Sequence, residues 1–311
     1  MHTLICGSIA YDTIMTFHDH FKNHILPEKI NILNVAFLVP EMRREFGGCA
    51  GNIAYNLQMI GGSPLVMATV GDDYPPYSQR MKKLGLIQAH IKHIENTFTA
   101  QAFITTDMAD NQITAFHPGA MNFSDKNHVT DAKDIKLGIV SPDGRNGMLQ
   151  HAQEFYEAGI PFLFDPGQGL PMFNGKELHD FIRKADYVTV NDYESQLLQE
   201  RTECTLQELA KLVKGLIVTK GAQGSIIFSN SKEIKIPCVK IDEQIDPTGC
   251  GDAYRAGLLY GIANEMDWQT TGQLGSLMGA LKITQRGGQN HNFSYEEISH
   301  KYFESFGSHI P

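Results

Sequence analysis

Apolar residues along this chain fall into short, β-branched runs separated by longer stretches of helical periodicity. After residue 50 the alternation is regular. Pro64 to Val70, Leu137 to Ser141, Pro161 to Asp165, Tyr187 to Asn191 and Leu216 to Lys220 read as strands, and the segments between them read as helices. Near-continuous apolar strands alternating with helices predict an α/β fold, a mainly parallel sheet covered by helices. The opening Met-His-Thr-Leu-Ile-Cys-Gly-Ser reads as the first strand. Ligands of such sheets gather at the carboxyl ends of the strands, where Asp165, Asn191 and Thr219 fall.

Two segments break the rhythm. Residues 12–48 and 97–118 carry short alternating pieces, Ile32 to Val39, Ala102 to Thr106 and Gln112 to Phe116, which read as antiparallel strands of a second, small sheet. The expected division is therefore a core of residues 1–11, 49–96 and 119–311 beside a small β unit of residues 12–48 and 97–118. A small sheet leaves edges and an apolar face, so pairing of two such units into a homodimer is expected.

Composition narrows the class without choosing a chemistry. A chain of 311 residues that is 42% hydrophobic can bury one large core. Its net charge of -9 argues against a nucleic-acid backbone as partner. No apolar stretch reaches the ~20 residues of a membrane helix, and the N-terminus lacks the basic leader and apolar core of a signal peptide. Five dispersed cysteines without a Cys-x-x-Cys pair fit reduced thiols, so a cytoplasmic location is expected. The thirteen histidines show no metal-ligand spacing, and no zinc site is assigned.

The chemistry concentrates in residues 246–257, Asp-Pro-Thr-Gly-Cys-Gly-Asp-Ala-Tyr-Arg-Ala-Gly, a glycine-dense turn running into an apolar helix. Gly249 and Gly251 let backbone N–H groups converge, and the helix start adds unpaired donors and a positive dipole end, which suits an anion. Asp252 at the junction makes little sense as a phosphate ligand. It makes good sense as a base beside the phosphate, taking a proton from an attacking hydroxyl. Read alone, the same turn could cap a helix whose aspartate balances the dipole. No Gly-x4-Gly-Lys-Ser/Thr occurs, the protein-kinase signature set is missing, and Tyr254 stands where a dinucleotide fingerprint needs its third glycine.

The same stretch resembles the C-terminal signature of the ribokinase-like (PfkB) carbohydrate and nucleoside kinases. Gly47-Gly48-Cys49-Ala50-Gly51-Asn52 with Leu57 and Gly61-Gly62 resembles their N-terminal signature. Asn191-Asp-Tyr-Glu194 is similar to the family's Asn-x-x-Glu element, and Thr219-Lys-Gly221-Ala-Gln-Gly224 to its nucleotide-side turn. The resemblance implies a ribokinase-like fold whose small sheet is a lid over the acceptor, and an ATP-dependent phosphotransferase. Phosphoryl transfer needs an acceptor held in line, a deprotonating group and donors on the transferred oxygens.

By that resemblance Asp252 is the base, and the N–H groups of Gly249, Cys250, Gly251 and Asp252 form the anion hole. Asn191 and Glu194 act near Mg2+, through its waters, while Asn191, Thr219, Gly221 and Gly224 line the ATP side. Asp246 matches a position that helps hold a monovalent cation, K+, in relatives. The acceptor side is Ser8, Asp12, Gly48 and Asn52. A carboxylate at Asp12 can accept from two vicinal sugar hydroxyls, Gly48 would permit close approach, and Asn52 would offer an amide. Arg145 and Arg255 are candidate phosphate contacts. Seen alone, Asn191 and Glu194 would be a helix cap, Asp12 a strand-end acid, and Arg145 a surface arginine.

Leu26-Pro-Glu, Phe37-Leu-Val, Phe116-His-Pro-Gly-Ala-Met121 and Asn191-Asp-Tyr-Glu together resemble the bacterial adenosine kinases of this family. Phe116 would then stack on a purine, unless it is ordinary core, and Gln168 would contact the base. The chain departs from that pattern at Gly169, where a second glutamine is usual, and at Ala102, where a lid aromatic is usual. Cys250, at a helix start, is expected to be a reactive thiol that nucleotide protects. The expected activity is phosphorylation of a nucleoside 5'-hydroxyl, adenosine first. A sugar kinase and a catalytically silent nucleoside or nucleotide sensor are the alternatives.

Overall fold

A computed structural model describes residues 1–25, 34–109 and 111–311. In chain order the strands are β1 (His2–Cys6), β2 (Ala10–Thr16), β3 (Glu41–Gly47), β4 (Pro64–Val70), β5 (Ile87–His93), β6 (Ala100–Thr106), β7 (Gln112–His117), β8 (Ile135–Val140), β9 (Phe162–Phe164), β10 (Tyr187–Asn191), β11 (Gly215–Thr219), β12 (Ser225–Ser229) and β13 (Lys232–Ile236). The helices are α1 (Cys49–Met59), α2 (Pro75–Lys83), α3 (Arg145–Glu157), α4 (Gly175–Lys184), α5 (Asp192–Thr202), α6 (Leu206–Ala210), α7 (Cys250–Ala263), α8 (Trp268–Ile283) and α9 (Tyr295–Phe306).

The nine strands of the large sheet run in the order β13-β12-β11-β10-β9-β8-β1-β4-β5. Every neighbouring pair from β5 to β11 is parallel, and β12 and β13 close one edge as an antiparallel hairpin. Strand alternation divides the core into two layers. Leu4 and Cys6 of β1 pack with Met148, Phe155, Phe181 and Leu198 of α3, α4 and α5. Ile5, between them, packs with Ile53, Ala256, Leu274 and Ile298 of α1, α7, α8 and α9. Two-sided burial is what the near-continuous apolar strands encode. The chain leaves β1 toward β4 and β5, then returns to β8 on the other side. The crevice at the carboxyl ends of β1 and β8 is therefore a topological switch point.

The small sheet has the order β3-β2-β6-β7, and its β2 begins at Ala10, shortly after the carboxyl end of β1 at Cys6. The lid strands in 97–118 appear as expected, but the piece from Ile32 to Val39 does not. Residues 32 and 33 lie outside the described residues, and 34–39 have no regular structure. Phe37 instead packs on Phe17 and Phe21, with ring centroids 4.8 Å and 5.0 Å away. The strand is β3, Glu-Met-Arg-Arg-Glu-Phe-Gly, which is charged because it is the edge of a small, half-wet sheet. The Leu26-Pro-Glu segment also lies outside the described residues.

Candidate active site

Helix starts separate the structural turns from the candidate site. α4, α5, α6 and α9 begin with capping boxes, in which an Asn, Ser or Thr accepts from N3 and the N3 glutamate accepts from the cap residue's own N–H. α1 and α7 instead begin at glycines with positive φ, Gly48 at 85° and Gly249 at 77°, without a side-chain cap. At α1 the end of β1 replaces the cap. Ser8 Oγ accepts from the Cys49 N–H at 3.1 Å, and the Ser8 carbonyl accepts from the Ala50 N–H at 3.0 Å. At α7 the Cys250 N–H donates to the Pro247 carbonyl at 3.1 Å, so it is not the free donor expected of it. The Gly249, Gly251 and Asp252 amides have no backbone partner among the described residues, and they are the open end of the helix.

Asp252 is half-buried beside these amides and accepts one hydrogen bond, from Asn52 Nδ2 at 2.9 Å. Burial pushes its carboxyl up to about 6, the Asn52 bond and Arg255 pull it down, and Asp165 and Asp12 add to the rise. Asn52 is held in turn. Its Oδ1 accepts from Gln289 Nε2 at 3.1 Å, and that nitrogen also donates to Tyr77 Oη at 2.6 Å. A side chain at Gly288 would lie 2.5 Å from Asn52 Oδ1, so glycine there lets the loop after α8 press against the amide. Asn52 therefore orients Asp252, whereas the sequence assigned it to the acceptor. Gln289 and Gly288 were missed because they belong to no motif.

Asp12 lies on the lid strand β2 and accepts no hydrogen bond from any described residue. Burial raises its carboxyl to about 6, and the charges of Asp246 and Glu45 add to the effect. A side chain at Gly47 would come within 2.4 Å of Asp12 Oδ2, so Gly47 makes the room for this carboxylate. Gly48, assigned to close sugar approach, is instead crowded by its own chain, because a Cβ there would lie 2.5 Å from the Ala10 nitrogen. Register puts Ala102 opposite Asp12 and Phe116 opposite Ala102, so Asp12 and Phe116 share one face of the lid. Phe116 is 47% exposed and is not core. Gln168 is exposed on the turn that follows β9.

Arg255 and Asp165 form a buried, two-pronged ion pair, Nε to Oδ2 at 2.6 Å and Nη2 to Oδ1 at 2.8 Å, with 8% and 3% of the side chains exposed. Arg255 is thus committed to Asp165 and does not offer its fork to a phosphate. Its remaining Nη1 lies beneath the anion turn, 2.8 Å from where a Gly251 side chain would begin. Burial disfavours its charge, and Asp165, Glu194 and Asp252 more than compensate. Arg145 pairs with Glu177 on the surface and plays no part here.

On the nucleotide side, Asn191 pairs in register with Thr219, so the two end residues stand side by side. Asn191 Oδ1 accepts from the Glu194 N–H at 2.7 Å, and Glu194 Oε2 accepts from the Asn191 N–H at 2.8 Å. The second Glu194 oxygen is left, and burial, then Asp165, raise its carboxyl. One half-committed carboxylate fits a Mg2+ that keeps most of its waters. Gly221 adopts φ 54° over open space, whereas Gly224 is glycine because a Cβ would lie 2.1 Å from the Ile236 carbonyl.

Two expectations about the anion turn meet opposing observations. Burial pushes the Cys250 thiol up to about 11, Lys282 pulls the other way, and Asp246 and Asp252 add to the rise, which opposes the lowering expected at a helix start. Each oxygen of the Asp246 carboxylate already accepts a hydrogen bond. Its Oδ1 accepts from the Thr248 N–H at 2.9 Å, its Oδ2 from the Gly287 N–H at 2.8 Å, and the Lys282 ammonium sits 2.8 Å from its carbonyl.

Comparison with known proteins matches this arrangement to one group. The family model for pfkB family carbohydrate kinases matches residues 11–294. A nucleoside kinase of Methanocaldococcus jannaschii is 30% identical over 273 residues, covering 87% of this chain and 90% of its own. The structure of Burkholderia thailandensis nucleoside kinase in complex with inosine is 52% identical, with a TM-score of 0.91 over 99% of both chains. The same enzyme in complex with ADP-inosine superposes with a TM-score of 0.88 over 99% of this chain and 97% of that one.

Proposed function

The chain belongs to the pfkB family of carbohydrate kinases, and within that family we propose that it phosphorylates the 5'-hydroxyl of a purine nucleoside from ATP, adenosine first and inosine beside it. The observation that carries this reading is the lid face. It sets Asp12, a carboxylate without hydrogen-bond partners among the described residues, in one row with an exposed aromatic, Phe116, and near enough to Asp252 to raise its carboxyl. A ribose diol and a purine ring call for that pair, and a free sugar needs only the first. The inosine complex of the 52% identical neighbour supports the purine.

The chain's own part in the reaction follows from the site. Asp12 accepts from the ribose hydroxyls and Phe116 stacks on the base, which fixes the 5'-hydroxyl between Asp252 and the anion turn. Asp252, oriented by Asn52, takes the hydroxyl proton as the oxygen attacks. The Gly249, Gly251 and Asp252 amides, with the Arg255 charge beneath them, stabilise the oxygens of the transferred phosphoryl group. Thr219 and Gly221 line the ATP side, and Asn191 and Glu194 would hold the waters of a Mg2+. That ion, when bound with ATP, neutralises phosphate charge. The lid excludes water that would otherwise hydrolyse the nucleotide.

The test is ADP release from Mg-ATP with adenosine, inosine, guanosine, cytidine, ribose and fructose. Turnover with purine nucleosides is expected, and Asp12→Ala is expected to raise the acceptor KM at least ~10-fold with little change for ATP, since a buried polar partner is lost. Turnover with ribose or fructose alone would discard the purine site, and no turnover with any acceptor would favour a silent sensor.

The lid's other face supports a homodimer. Register places Met42, Met15, Phe103 and Ile113 together there, on the side opposite Asp12, with Met42, Phe103 and Ile113 exposed. Sedimentation is expected to give a dimer that Phe103→Glu converts to monomer, since a charge would be buried unpaired. A wild-type monomer at all concentrations would refute the pairing.

A further inference from the structure

Lys282, in the last turn of α8, is fully buried at 0% exposure. Among the described residues its ammonium has no carboxylate within ion-pair distance. It donates instead to two backbone carbonyls, Asp246 and Gln285, each at 2.8 Å. A buried ammonium costs several kcal/mol unless its surroundings compensate, so a lysine held only by carbonyls calls for an explanation. The location supplies one. Asp246 opens the turn that presents the Gly249, Gly251 and Asp252 amides, and Gln285 opens the loop that carries Gly288 and Gln289 to Asn52. The two segments are stitched at the same place by Asp246 N–H to the Ile283 carbonyl at 3.1 Å and Gly287 N–H to Asp246 Oδ2 at 2.8 Å. A Cβ on Gly249 would stand 3.2 Å from Gly288 Cα, so they also touch directly.

Two carbonyl dipoles converging behind an anion site suit a cation, and carbonyl oxygens hold K+ by replacing its water. An ammonium carries the same single charge and makes the same kind of contact. We infer that Lys282 is a built-in monovalent cation that braces the anion turn, so that phosphoryl transfer by this chain proceeds without K+. Asp246 is then a structural member of the turn and not a ligand of a dissociable ion. Lys282 touches no reacting atom in this scheme. It is a positioning residue that acts through the Asp246 carbonyl and the turn that follows.

The inference rests on the kinase reading of the same site, and the experiment separates the two. Turnover of a nucleoside and ADP affinity are measured for the wild type in KCl and in choline chloride at equal ionic strength, then for Lys282→Met and Lys282→Ala. The wild type is expected to give the same kcat and ADP affinity in both salts. Lys282→Met is expected to lose about 10- to 100-fold in kcat with little change in acceptor KM, because preorganisation of the anion hole is weakened. Lys282→Ala, which leaves space for an ion, is expected to regain part of its rate with K+ or ammonium chloride and none with choline. A wild type stimulated several-fold by K+ would overturn the inference, as would a folded Lys282→Met that keeps full rate in choline. Should the variants fail to fold, the wild-type salt comparison decides. A wild type that turns over no nucleoside refutes the acceptor reading alone, and ADP affinity in the two salts still tests the built-in cation.

Discussion

Asp252→Asn is expected to lower kcat by about 10²- to 10⁴-fold, the range for removing a general base, with little change in KM for either substrate. Asparagine keeps the shape and can still accept from Asn52 Nδ2, so binding survives while proton abstraction does not. The wild-type rate should rise with pH through about 6, where burial holds the Asp252 carboxyl. Asp12, also raised to about 6, contributes to the Asp252 shift, so the limb belongs to the pair and is broader than a single titration. Stability should move the other way. A carboxyl raised in the folded state contributes stability that is fully present below its unfolded value near 4, and this is lost as pH rises through 6. The neutral asparagine does not lose it. Asp252→Asn should therefore melt above the wild type at pH 8, by at most roughly 3 kcal/mol, and converge with it near pH 4. A variant with near-normal kcat, or one less stable than the wild type at pH 8, would remove Asp252 from the role of a buried base.

Separating Arg255 from Asp165 is expected to cost about 3–5 kcal/mol in denaturant unfolding, because either partner left alone is a buried, uncompensated charge. The double variant Asp165→Leu with Arg255→Met should cost less than the two single changes together, since an apolar pair can replace a buried ion pair of similar volume. The single changes should also move the acid limb of the rate in opposite directions. Arg255 lowers the Asp252 carboxyl and Asp165 raises it, so Arg255→Met shifts the limb to higher pH and Asp165→Asn to lower pH. Shifts of the same sign, or losses below ~1 kcal/mol for both, would show that the pair is not coupled to Asp252.

How much of this was legible in the sequence depends on whether a residue sits inside a local pattern. The parallel strands, the two-part lid and the glycine turn before Asp252 could be read because each is a contiguous run with its own period or turn chemistry. β3 and β13 could not, because both are short edge strands rich in charge. Within the site, Asp252 was picked out by the glycine turn before it, whereas Asp12, read as a strand-end acid, lies inside lid strand β2. The contacts of Asn52 and Arg255 could not be read, because their partners, Gln289 and Asp165, arrive from distant segments. Cys250 was expected to be acidic from its place at a helix start, and only its burial and its carboxylate neighbours reverse that. Lys282 and Gly288 carried no signal, since an isolated lysine or glycine near a helix end has many uses.

The Asn52 side chain joins Asp252, 200 positions later, to Gln289, 237 positions later. During synthesis the ATP-side strands, the lid and the helix bearing Asp252 would all leave the ribosome before the loop that aligns them. At 5–20 residues per second the 37 positions between Asp252 and Gln289 take roughly 2–7 seconds to make. Until then Asn52 lacks the Gln289 contact that holds its amide toward Asp252. Catalytic competence thereby waits for chains that have been translated almost to the end, and a stalled or clipped product lacking that loop would also lack α9, whose Ile298 and Tyr302 complete one layer of the core.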